Sequence, residues 1–61
     1  MVYQIEFYRQ GRLLETHTWT ATLGTSIEHA QTNMRLRDAD FSRVVRFGDG
    51  GGEVWSQWGG T

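Results

Sequence analysis

The sequence predicts an α+β domain of ββαββ order, with a four-stranded, mainly antiparallel sheet and one helix on one face. Three observations carry this expectation. Two alternating apolar stretches flank a turn centred on Gly11. A helix-capping pattern then precedes apolar residues spaced three and four apart, and a second pair of alternating stretches flanks the glycine run from Gly48 to Gly52.

From Val2 to Tyr8 the chain alternates around Tyr3, Ile5 and Phe7, which is the period of a half-buried strand. Arg9-Gln10-Gly11-Arg12 turns, because Gly11 tolerates the positive φ of a tight hairpin, and Leu13 to Thr20 returns with β-favouring Thr and Trp. A two-residue turn at Gln10-Gly11 pairs Phe7 with Leu14 and Tyr3 with Thr18, and collects Val2, Tyr8, Leu13 and Trp19 on the other face. A three-residue turn shifts the partner by one and sends Leu13 and Trp19 to the core side. Both registers stay open.

Thr25-Ser26-Ile27-Glu28 matches a capping box, so a helix is expected to begin there, with Ile27, Ala30 and Met34 as its buried stripe and Leu23 as a staple onto it. Arg35 and Arg37 suit the negative end of the helix dipole, and the helix is expected to stop near Arg37. Asp38-Ala39-Asp40 connects to a third strand, Phe41 to Phe47, with Phe41, Val45 and Phe47 on one face, where the helix needs core, and Val44 on the other. Glu53 to Trp58 is the fourth strand. An antiparallel sheet of order 2-1-3-4 with a right-handed crossover helix is preferred over order 2-1-4-3, the ubiquitin-like arrangement.

At 61 residues the chain is read as a single domain over residues 1–58 with a frayed tail over 59–61. Surface scaling at this size buries only about 60% of the unfolded chain's surface, a marginal fraction, and the lack of cysteine excludes disulfides or a thiolate zinc site as extra support. Self-association gains weight as the remaining device. Met1 to Glu6 has neither the basic nor the apolar region of a signal peptide, and no apolar run reaches membrane-spanning length, so a cytoplasmic protein away from the membrane is expected. A net charge of −1, with six arginines and no lysine, gives no excess positive charge for nucleic acid.

Candidate chemistry is sparse. A site on His17 and His29, the only histidines, has to draw in Asp38, Asp40, Asp49 or Glu53, and both are expected to be solvated. Ser26, Ser42 and Ser56 have no triad context, the glycine run lacks the Lys-Ser/Thr ending of a phosphate loop, and Asp49 with Glu53 misses the calcium-loop spacing. The expectation is therefore no enzyme and no catalytic, metal or cofactor-binding residue.

The hairpin-helix-hairpin layout resembles many short bacterial proteins of unknown function, which implies the fold and no activity. Gly59-Gly60 resembles the end of ubiquitin-like sulfur carriers, although Thr61 follows the pair and blocks the glycine carboxylate. Arg43 and Arg46 among aromatic residues suggest a single-stranded nucleic-acid binder as an alternative, without matching its sequence signature. The strongest remaining feature is a surplus of large apolar side chains, Tyr8, Leu13, Trp19, Trp55 and Trp58, more than one helix can cover. They are expected to form a protein-protein face, most simply of a homodimer.

Overall fold

A computed structural model describes residues 2–48 and 50–59. Strand β1 (Tyr3–Arg9) pairs with β2 (Arg12–Trp19), helix α1 (Leu23–Leu36) crosses over, and β3 (Phe41–Arg46) pairs with β4 (Gly52–Trp58). The sheet order is β2-β1-β3-β4 and every pairing is antiparallel, as the element order predicted. Among the described residues no helix is long and apolar enough to cross a membrane.

Two bulges decide which side chains share a face. The first hairpin turns through Gln10 and Gly11, both at positive φ, which is the two-residue turn. Register then slips between Phe7 and Tyr8, where Tyr8 opposes Leu13 but Phe7 opposes Glu15, so that Leu14 is the extra residue. Both expected registers therefore occur, one on each side of the bulge. Leu13 shares the face of Tyr8, while Trp19, opposite Tyr3, points the other way. A second slip between Val44 and Val45 leaves Val54 extra in β4.

Rows of cross-strand neighbours give the two faces their character. Under the helix run Glu15-Phe7-Ser42-Gln57, then His17-Ile5-Val44-Trp55, then Trp19-Tyr3-Arg46-Gly52. Tyr3, Ile5, Phe7 and Val44 form the core with Ala30 and Met34 of α1, and Trp19, Leu23, Ala39 and Trp55 pack around it. The third strand thus buries Val44 and not the expected Phe41 and Phe47, and Phe47 is 51% exposed. The pairing with β1 sets this, since Val44 opposes Ile5 and Ser42 opposes Phe7 under the helix, which leaves Phe41 and Val45 on the other face.

The helix begins one turn earlier than the capping-box reading. Thr22 is the N-cap, accepting from the amide of Thr25 at 3.3 Å, while Ser26 donates its amide to the Thr22 carbonyl. The earlier start brings Leu23 into the buried stripe, which runs through Ser26, Ala30 and Met34 and leaves Ile27 half-buried. At the other end, Ala39 bonds back to Met34 and Asp38 to Arg35, a Schellman closure with Asp38 at φ 54° where glycine is usual.

Candidate functional site

The face without a helix carries three rows. At the end nearest the first turn, Leu13, Tyr8, Phe41 and Trp58 cross all four strands as direct neighbours. Their rings touch in sequence, Tyr8 to Phe41 at 5.7 Å and Phe41 to Trp58 at 4.6 Å between centroids. Trp58 is 76% exposed and Leu13 54%. A shallow cleft beside them is lined by Tyr8, Phe41 and Trp58 together with Arg43 and Glu53.

The next row is polar and runs Thr16, Glu6, Arg43 and Ser56. Glu6 is buried here yet charged. It accepts from Arg43 Nε at 2.6 Å and from the Tyr8 hydroxyl, with Arg43 also reaching Glu53 at 3.8 Å. Burial alone raises the Glu6 pKa, but the hydrogen bonds from Tyr8 and Arg43 and the Arg43 charge outweigh it and hold the carboxyl below its usual range. The same bond raises the Tyr8 hydroxyl pKa. The last row, Thr18, Gln4, Val45 and Glu53, is mixed.

No family model, curated protein or solved structure matches this chain.

Of the five side chains expected to form one interface, Tyr8, Leu13 and Trp58 lie together on the bare face, joined by Phe41. Trp19 and Trp55 do not join them. Both are half-buried on the helix side, Trp19 with its indole nitrogen donating to the Thr25 hydroxyl at 3.1 Å. The bulge at Leu14 is what separates Trp19 from Leu13.

Sequence reasoning missed a second cluster, because it took the histidines for solvated. His17 of β2 and His29 of α1 meet, with His17 Nδ1 and His29 Nε2 2.8 Å apart. The carboxylate that joins them is Glu15, not one of the four considered, at 2.8 Å from His17 Nε2. Asn33 places its amide nitrogen 3.3 Å from His29 Nδ1. The Glu15 carboxylate can only accept, so His17 donates to it from Nε2, and a single hydrogen bond joins His17 Nδ1 to His29 Nε2.

Arg37 closes the chain, bonding both Glu15 and Asn33. Hydrogen bonds from Arg37 and then His17 lower the Glu15 pKa to about 2. Burial first, then the charges of His17 and Arg37, lower that of His29. The sequence held the signal in two spacings. Glu15 and His17 are two apart on one strand face, and His29, Asn33 and Arg37 are four apart on one helix face.

Proposed function

We propose that this chain is a small interaction module that binds a second copy of itself through the helix-free face of the sheet. The observation that carries the reading is the row Leu13-Tyr8-Phe41-Trp58, in which a tryptophan is left 76% exposed beside two rings in tilted contact and a half-exposed leucine. Exposed aromatic side chains clustered in this way are the usual anchors of interfaces. A copy of the same face is a fitting partner because the adjoining charges, Glu6, Arg43 and Glu53, include both signs and suit a two-fold pairing of like with like.

The energy on offer is modest. A tryptophan side chain buries up to about 250 Å², so covering Trp58, of which 76% is exposed, removes roughly 190 Å² from water and contributes about 4–5 kcal/mol at ~25 cal/mol/Å². Two copies contribute roughly 8–10 kcal/mol, and at the low end of the association cost, about 4 kcal/mol, the dimer has a Kd of roughly 0.04–1 mM. Nucleic-acid binding has less support. Arg43 is neutralised by two glutamates, and Arg46 lies on the opposite face, donating to the Gly50 carbonyl at 3.3 Å. For a sulfur carrier, Gly60 and Thr61 fall outside the described residues, and the amide of Gly59 is tied to the Asp40 carbonyl at 2.8 Å.

Sedimentation equilibrium across a dilution series tests the proposal. The mass is expected to rise with concentration to twice the 7.0 kDa of one chain, and Trp58→Ser is expected to hold it at one chain while the circular dichroism is kept. A native chain that stays single at millimolar concentration overturns the reading.

A further inference from the structure

We propose that two copies of the chain meet about a two-fold axis parallel to the strands, over the seam between β1 and β3, so that each cross-strand row of the bare face lies on the same row of the partner in reverse order. This axis rests on self-association through the bare face and gives it its geometry. The sheet order β2-β1-β3-β4 puts that seam at the middle of the sheet. A half-turn about it lays β1 over β3 of the partner and β2 over β4. Antiparallel sheets laid face to face in this way keep their strands within about 30° of each other, the ordinary aligned packing.

About this axis the rows complement themselves. In the aromatic row Trp58 comes over Leu13 of the partner subunit and Tyr8 over the partner's Phe41, so the exposed indole covers the exposed leucine. In the polar row Glu6 comes over the partner's Arg43, and Arg43 over the partner's Glu6. These two side chains already meet at 2.6 Å within one chain, and the second copy sets its pair against the first with signs alternating. Glu53 stands on the outer strand β4, so the two copies of this further carboxylate are carried to opposite sides of the dimer. Beyond the strand ends, Val2 and Phe47 are both exposed, and the Phe47 amide donates to the Val2 carbonyl at 3.1 Å. They continue the pairing of Gln4 with Val45 by one more bare-face step, astride the same seam, so each Phe47 comes over the partner's Val2.

Axes that run across the strands lack this fit. One along the polar row stacks Glu6 on the partner's Glu6 and Arg43 on the partner's Arg43, which sets like charges together. It also carries the aromatic row onto the mixed row, with Trp58 over the partner's Glu53. One along the aromatic row covers that row alone and leaves the polar row of each copy, with Glu6 and Arg43, outside the contact.

The chain has no cysteine, so single introduced thiols report the axis. Thr16 on β2 and Ser56 on β4 are exposed at opposite ends of the polar row. The proposed axis brings Thr16 over the partner's Ser56, while two copies of either residue stay about 14 Å apart sideways, three strand spacings. Thr16→Cys and Ser56→Cys chains are treated with a short bismaleimide, each alone and in equal mixture, with the mass followed by sedimentation equilibrium. Linked dimer is expected from the mixture, with its loss in either variant alone and in a mixture whose chains also carry Trp58→Ser. Linked dimer from one variant alone, linkage that survives Trp58→Ser, or no linkage while the mass still doubles with concentration overturns the axis and leaves self-association standing. A native mass that stays at one chain, with no linkage, overturns self-association and the axis with it.

Discussion

Val44 and Val45 are neighbours of identical chemistry on opposite faces of β3, and alanine substitutions at the two positions are predicted to differ sharply in cost. Val44 is fully buried between Ile5 and Trp55 beneath the helix. Val45 is half-buried on the bare face. Removing two carbons from Val44 forfeits about 1.6 kcal/mol of transfer energy, and the cavity left in a close-packed core brings the loss to ~2–3 kcal/mol. At Val45 part of that surface already meets water and no closed cavity forms, so the loss is ~0.5–1 kcal/mol.

A domain of 61 residues has roughly 3–9 kcal/mol of stability in all, so Val44→Ala removes a large share of it. The melting temperature is expected to fall by about 10–20 °C for Val44→Ala and by less than about 8 °C for Val45→Ala. Urea unfolding followed by tryptophan fluorescence, at one protein concentration so that association does not shift the midpoint, measures the pair. Val45→Ala costing as much as Val44→Ala refutes the assignment of faces in β3, and with it the description of the bare face.

Four further outcomes follow from single features. Asp38→Gly relieves a left-handed φ at the helix end and is expected to stabilise by ~0.5–1 kcal/mol in the same assay, since the Arg9–Asp38 ion pair it removes is solvent-exposed and weak. Gly24→Ala, inside the helix with open space around the added carbon, is expected to stabilise by ~0.5–1 kcal/mol. Gly51→Ala places that carbon 2.3 Å from the Arg46 carbonyl oxygen and is expected to destabilise by ~1–3 kcal/mol. The folded-state pKa of His29 lies below 6.5, so the unfolded chain binds more protons between those values. Its contribution to stability is complete above pH 6.5 and is lost as pH falls toward the folded value, and His29→Gln is expected to flatten that part of a stability-against-pH curve.

The order of elements was legible because turns and caps are local chemistry. Gly11, the glycine run after Phe47 and the threonines before Ile27 each mark a boundary within a few residues of where it falls. Which face a side chain takes is not local. Each bulge adds one residue, at Leu14 and at Val54, and reverses the parity of everything beyond it, so Trp19 passes under the helix while Leu13 does not. In β3, adjacent valines make both alternations possible, and the larger phenylalanines favoured the wrong one. The deciding fact, the pairing of Val44 with Ile5 and of Ser42 with Phe7, joins strands that β2 and α1 separate in the chain. The histidine pair escaped for the same reason, since its members lie twelve residues apart on different elements.

Isotope-filtered nuclear Overhauser spectroscopy on an equal mixture of labelled and unlabelled chain tests the central claim most directly, since it reports contacts between copies and nothing else. Contacts between copies are predicted among Leu13, Tyr8, Phe41 and Trp58, and none from Trp19 or Trp55. Contacts between copies through Trp19 or the outer side of α1, or none at millimolar concentration, contradict the claim that the bare face of the sheet is where this chain meets its partner.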